Sequence, residues 1–264
     1  MKGEGSYLVV KGSRIYFETY GGGEPLLLLH GGFGTIEDFA SQIPEFAKHF
    51  TVVAFERPGH GHTADTSGPF RYVEMAELTA AVAEALKLGP CSLLGWSDGG
   101  IVSLLVAISR PDLVRSLVCV GASFNTEYFD AEKRRALEKW TPEAFRRDLP
   151  AMASRFDSTS PDGPSHFPSI FEKTKNLWLS EPNLRRDELA RIDARTLVMA
   201  GDKDVVPAEH TLELFLAIKN AELCIVPGAT HWLLSEKPEL ANKMILEFLR
   251  KNGPGTGRQV ASTE

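Results

Sequence analysis

The sequence predicts an α/β domain: a mostly parallel sheet of eight strands, helices on both faces, and one helical insertion. Three observations predict it. From residue 26 onward short apolar runs alternate with helical stretches, the pattern of strands buried on both faces. One such run, Cys91-Ser92-Leu93-Leu94, leads through Gly95-Trp96-Ser97-Asp98-Gly99-Gly100 directly into the helical stretch Ile101–Ala107. The alternation stops at residue 123 and resumes near residue 194.

Length and composition bound the answer. A chain of 264 residues with 43% hydrophobic content can bury one large core, and it fits a single domain with an insertion better than two domains. A net charge of -6, with Lys and Arg scattered rather than blocked, argues against a nucleic-acid or anionic-membrane partner. A small neutral or cationic substrate suits it better. Cys91, Cys119 and Cys224 all fall in predicted buried strands and are too few for a disulfide framework, which points to a reducing compartment. The residues Met1-Lys2-Gly3-Glu4-Gly5 carry no apolar signal segment and no stretch is apolar enough to span a bilayer, so a cytoplasmic protein, monomer or homodimer, is expected.

The elements follow in order. Tyr7–Val10 and Ile15–Tyr20 read as a hairpin turned at Gly12-Ser13, and Leu26–Leu29 as a buried strand. Next come a helix near Asp38–His49, strand Thr51–Phe55, helix Val73–Leu86, strand Cys91–Gly95, helix Gly99–Ser109 and strand Ser116–Gly121. Residues 123–193 are charged and rich in helix formers, and contain the breaker run Ser158-Thr159-Ser160-Pro161-Asp162-Gly163-Pro164. They read as an inserted helical cap, mobile over the carboxyl edge of the sheet. Strand Thr196–Met199, helix Ala208–Lys219, strand Glu222–Val226 and helix Pro238–Lys251 complete a core of residues 1–122 and 194–251, and the polar, glycine-rich tail 252–264 is expected to be disordered.

At the strand-to-helix junction Ser97 is a candidate nucleophile. A serine held at so sharp a turn occupies a strained backbone conformation, and side chains two residues before or after it would strike neighbouring chain. A hydroxyl is a weak nucleophile at neutral pH, so Ser97 requires a base and an acid to orient that base. His231, in the loop Pro227-Gly228-Ala229-Thr230-His231 after the last strand, is the candidate base. His30, His60 and His62 lie in glycine-rich turns, His49 and His210 on or at the ends of predicted surface helices, and His166 in the cap. For the acid, Gly201-Asp202-Lys203-Asp204 offers two carboxylates, of which Asp202 suits a turn or cap.

The order Ser97, Asp204, His231 resembles that of the α/β-hydrolases, and the resemblance extends over residues 6–250. It selects Asp204, three residues after glycine, as the acid. His30-Gly31-Gly32-Phe33-Gly34 resembles the family's oxyanion loop, which implies N–H donors from Gly32 or Phe33 and from Asp98. Arg57-Pro58-Gly59-His60-Gly61 resembles its glycine turn, although Glu56 and Thr63 depart from the residues commonest there, which leaves the turn's surface hydrogen bonds open. The segment around Ser97 is similar to that of the valacyclovir hydrolase, or biphenyl hydrolase-like, group, whose members cleave α-amino acid esters.

The resemblance implies a Ser-His-Asp carboxylesterase of small molecules, with Phe33, Trp232 and Asp98 as substrate-binding residues. Asp98 has a second reading as the cap of its helix. Phe124, Trp140 and Trp178 read as core, and Trp96 as packing beneath the turn. No Cys/His cluster has metal spacing and Gly21-Gly22-Gly23 lacks a phosphate-binding context, so neither metal nor cofactor is expected. Two other functions compete: a carbon–carbon bond hydrolase of vinylogous diketones with the same triad, and a ligand receptor on the same fold.

Overall fold

A computed structural model describes residues 3–250, so the predicted disordered tail lies outside the described residues. Strand β1 (Glu4–Val10) and β2 (Ser13–Gly21) form the expected hairpin, with Val10 opposite Ser13. The turn therefore falls on Lys11-Gly12, one residue before its expected place. Both residues have positive φ, 48° and 80°, as a tight two-residue hairpin turn demands.

Strands β3 (Glu24–Leu29), β4 (Phe50–Phe55), β5 (Cys91–Trp96), β6 (Val114–Val120), β7 (Arg195–Lys203) and β8 (Ala221–Thr230) complete one eight-stranded sheet in the order β1-β2-β4-β3-β5-β6-β7-β8. From β4 across to β8 every pairing is parallel. In β3, Leu26 and Leu28 point into one apolar cluster and Leu27 and Leu29 into another, which is why the run is apolar without interruption. Cys91 and Cys119 are buried as expected, whereas Cys224 is only half-buried because β8 is an edge strand.

Helices α2 (Tyr72–Ala85) and α3 (Asp98–Ser109) cover one face. The short α1 (Ile43–Phe46) and the C-terminal α11 (Pro238–Arg250) cover the other. The helix expected near Asp38–His49 is instead a 3-10 turn, Ile36–Phe39, followed by α1. Pro44 explains the break: it has no N–H to donate, and its ring disfavours a helix continuing back through residue 40.

Between β6 and β7 the insertion forms α4 (Ala131–Lys139), α5 (Pro142–Asp148), α6 (Pro150–Thr159), α7 (Phe167–Ser180) and α8 (Arg186–Leu189). Its two ends are tied together, since Asn125 pairs with Asn183 and Leu184 N–H donates to Phe124 C=O at 2.8 Å. Phe145, Phe167 and Phe171 of the insertion are fully buried and belong to the same apolar cluster as α2 and α3. Helices α9 (Ala208–Ala217) and α10 (Leu233–Glu236) follow β7 and β8. No helix among the described residues is long and apolar enough to cross a membrane.

Candidate active site

Ser97 ends β5 and opens α3 with φ 55° and ψ −121°, a conformation that side chains rarely adopt and that turns its hydroxyl out at the carboxyl edge of the sheet. The flanking glycines have no alternative. A Cβ on Gly95 would lie 2.1 Å from Gly99 C=O, and one on Gly99 would lie 1.9 Å from Leu29 C=O.

Three residues far apart in sequence meet at this turn. His231 Nε2 lies 2.9 Å from Ser97 Oγ, and His231 Nδ1 lies 2.7 Å from Asp204 Oδ1. The Asp204 side chain is 1% exposed, and Val206 N–H donates to its Oδ1 at 3.0 Å. Asp202 points elsewhere: it lies not in a turn but at an irregularity near the end of β7, where its Oδ1 accepts from Gly228 N–H of β8 at 2.7 Å. Behind the pair stands Gly121, with φ 59°, where a Cβ would come within 3.0 Å of both Asp204 Oδ2 and His231 Nδ1. Trp96 packs under the turn as expected and donates its indole N–H to His231 C=O at 2.9 Å.

The loop after β3 faces Ser97. Gly34 N–H donates to Gly31 C=O at 3.2 Å, closing a turn in which Phe33 has φ 54°. That conformation is costly for phenylalanine, and an aromatic cluster over-determines it: the Phe33 ring lies 4.5 Å from Phe145 and 5.6 Å from Trp178. His30 braces the loop rather than reaching the site, since its Nε2 accepts from Arg57 N–H at 3.1 Å. Among the described residues nothing accepts from the N–H groups of Gly32, Phe33 or Asp98.

Residues 26–243 match the model of the alpha/beta hydrolase family. The chain belongs to that family. Among its relatives is serine hydrolase BPHL of Homo sapiens, 31% identical over 92% of this chain and 85% of that protein. A 2-hydroxy-6-oxo-2,4-heptadienoate hydrolase of Pseudomonas putida is 28% identical over 93% of this chain and 96% of that protein. The meta-cleavage product hydrolase of Pseudomonas fluorescens shares the fold, with a TM-score of 0.77 at 22% identity, covering 93% of this chain and 97% of that one.

In this hydrolase Ser97 opens into a cavity of about 340 Å³, a size suited to a small molecule. Its walls come from both layers: Phe33, Trp96, Asp98 and Trp232 from the core, and Tyr128, Met152 and Trp178 from the insertion. Phe33 and Trp232 thus line the cavity as expected. Trp178, read from sequence as core, also lines it, whereas Phe124 is buried elsewhere, stacked 4.2 Å from His210. Trp140 packs against Phe145 at 5.3 Å, away from the cavity wall.

Asp98 does not cap its helix. Its buried carboxylate accepts from Tyr72 Oη at 2.8 Å and from Trp178 Nε1 at 2.9 and 3.1 Å. Burial raises the Asp98 pKa above the usual carboxylate range, against the pull of the Arg57 charge and of those two donors. Arg57 is itself fully buried, which lowers its pKa to about 10, and Asp98 is the foremost group opposing that shift. Tyr72, at the start of α2, carried no signal in the sequence, and Trp178, read there as core, is only partly buried and turns its indole N–H to Asp98.

Two further expectations change. His210 is not on a surface helix face but buried, its Nε2 accepting from Phe124 N–H at 3.2 Å. Glu56 and Thr63 are buried rather than superficial: Glu56 accepts from the N–H groups of Ile36 and His62 at 3.3 and 2.6 Å, and Thr63 Oγ1 from Tyr16 N–H at 2.9 Å. Among the described residues no group of His, Cys, Asp and Glu side chains is arranged to hold a metal ion.

Proposed function

We propose that the protein is a serine hydrolase that cleaves carboxylic esters of small molecules through an acyl-enzyme, with α-amino acid esters as the preferred class. The alignment of Ser97 Oγ, His231 Nε2 and Asp204 Oδ1, at 2.9 and 2.7 Å on the wall of a cavity, carries the reading. Ser97 Oγ attacks the ester carbonyl carbon while its proton passes to His231 Nε2, and Asp204 holds the imidazole tautomer and stabilises the imidazolium. The oxygen that becomes negative accepts from Asp98 N–H and from the N–H of Gly32 or Phe33, donors typically worth roughly 2.7–4 kcal/mol each in such sites. Collapse breaks the bond to the alcohol, which leaves with the His231 proton. Water, deprotonated by the same ring, then attacks the acyl carbon and frees Ser97.

The charge of the cavity supports a cationic substrate. Apart from His231, its charged lining residues are Asp98 and Glu181, with no Lys or Arg among them. Glu181 is paired with Arg71 and Asp98 feels the charge of Arg57, but no Lys or Arg lines the cavity itself. The carboxylate of a dienoate of the kind named for the Pseudomonas putida relative would therefore meet two acidic side chains and no cation in the wall. That disfavours carbon–carbon bond hydrolysis of such acids, while the kinship with serine hydrolase BPHL is consistent with serine chemistry.

Labelling by a fluorophosphonate tests the nucleophile: the wild type takes up one label and Ser97→Ala takes up none. Equal labelling of that variant refutes the assignment. A panel of aminoacyl esters, simple acyl esters and a ring-cleavage diketone then ranks the substrate classes by kcat/KM.

A further inference from the structure

Arg155, on α6 of the insertion, reaches across to the core immediately after the loop that carries Gly32 and Phe33. Its Nη1 donates to Thr35 Oγ1 at 2.9 Å and to Asp38 Oδ1 at 2.6 Å. The other Asp38 oxygen, Oδ2, accepts from Thr35 N–H at 3.0 Å, and Thr35 Oγ1 in turn accepts from Glu37 N–H at 3.2 Å. One carboxylate therefore has two tasks: one oxygen fixes the backbone where the loop ends, and the other is held by the insertion. The arrangement is shielded, with side-chain exposures of 19% for Arg155 and 6% for Asp38. Burial raises the Asp38 pKa, and the charge and hydrogen bond of Arg155, with the Thr35 N–H, oppose the shift.

We propose that Arg155 is a positioning residue for the hydrolysis: through Asp38 and Thr35 it holds the turn that aims the Gly32 and Phe33 N–H groups, so the donors are set only when α6 is seated. The proposal rests on the serine-hydrolase reading above. Thr35 directly follows Gly34, whose N–H closes the turn onto Gly31. Phe33 within that turn has φ 54°, a costly conformation that its aromatic neighbours hold from one side and the Thr35–Asp38 bonds from the other. The same helix supplies Met152 to the cavity wall and buries Phe156 against Phe167, which lies 6.0 Å from Phe33, so seating α6 builds the pocket and fixes the loop together.

Kinetics of Arg155→Gln and Arg155→Lys on one ester test the idea, with fluorophosphonate labelling of the wild type as the control on the chemistry. Misplacement of a reacting geometry by about 1 Å costs on the order of 100-fold, so Arg155→Gln should lose about 10- to 100-fold in kcat with KM changed by less than about threefold. Lysine keeps a charge for Asp38, so Arg155→Lys should recover most of that loss. A boronic acid that forms a tetrahedral adduct with Ser97 should weaken in step with kcat/KM, while a non-covalent product analogue binds as to wild type. If Arg155→Gln does not fold, Asp38→Asn, which weakens the same contact from the core side, carries the test through the same kcat-against-KM and adduct-against-product comparison. The same kcat-selective loss is expected of it, and an unchanged kcat overturns the proposal. A labelled wild type with unchanged kcat in Arg155→Gln, or a loss confined to KM, overturns the role of Arg155 alone. A wild type that resists the fluorophosphonate overturns the serine-hydrolase reading and this proposal with it.

Discussion

The indole N–H of Trp178, on α7 of the insertion, donates to both carboxylate oxygens of Asp98, the residue beside Ser97, at 2.9 and 3.1 Å. With Tyr72 Oη also donating to Oδ1, the carboxylate is oriented into the cavity wall yet keeps acceptor capacity, since a carboxylate can take about four hydrogen bonds. An ammonium group is the ligand such a site favours. A charged hydrogen bond of this kind contributes about 1.5–3 kcal/mol. At roughly 1.4 kcal/mol per tenfold, a free α-amino ester should exceed its N-acetylated counterpart by about 10- to 150-fold in kcat/KM. Asp98→Asn should remove most of that preference and leave simple acetate esters nearly unchanged. The two ratios, wild type and variant, are the measurement, and a wild-type ratio near one rules out an amine site.

The contrast between two neighbouring carboxylates gives a second prediction. Asp204→Asn presents an amide to His231 Nδ1, favours the wrong imidazole tautomer, and should lower kcat by a factor on the order of 10⁴ without unfolding the protein. Asp202→Asn alters only an exposed residue near the end of β7 and should change kcat by less than about threefold, as surface substitutions usually do. The reverse ranking would overturn the choice of Asp204.

Gly121 is the narrowest point behind the site. Alanine there must adopt φ near 59° and press within 3.0 Å of Asp204 Oδ2 and His231 Nδ1. The backbone strain costs roughly 1–2 kcal/mol of stability. Because the new methyl displaces the acid–base pair, kcat should fall on the order of 10- to 100-fold with KM little changed. Chemical denaturation and steady-state kinetics on the one variant check both parts.

Acid stability reports on His210, whose pKa burial lowers from 6.5 to about 4. The unfolded chain takes up this proton near pH 6.5 whereas the folded chain resists it until about pH 4, so folded-state stability falls as pH drops through that window and levels off below it. One such proton is worth about 1.4 kcal/mol per pH unit within the window. His60, lowered to about 3, and His30 act in the same direction. His210→Gln keeps an acceptor for Phe124 N–H and should remove about one proton from the slope of unfolding free energy against pH between 6.5 and 4. Urea titrations at several pH values measure it, and a slope parallel to wild type would exclude the assignment.

Much of the fold was legible in the sequence because its signals are local. The Leu26–Leu29 run reads as a doubly covered strand since each leucine has its own face to bury. The glycines around Ser97 mark the sharp turn because no side chain fits at 95 or 99. Pro44 was equally visible, yet only the structure decided that it splits the expected helix into a 3-10 turn and α1.

The sequence by itself determined the parallel core and the place of the insertion and offered Ser97 and His231 as candidates, while its resemblance to the α/β-hydrolases selected Asp204 as the candidate acid. Tertiary structure alone decided what surrounds them. Trp178 read as core and Tyr72 fell just outside a predicted helix, because a periodic pattern specifies which face is covered and never what covers it. Asp98 therefore stood between a substrate-facing carboxylate and a helix cap, and two aromatic donors on its carboxylate, 26 and 80 residues away, exclude the cap. Arg155 carried no signal in the sequence, because its partner Asp38 lies 117 residues upstream and only the docking of α6 brings a guanidinium to it.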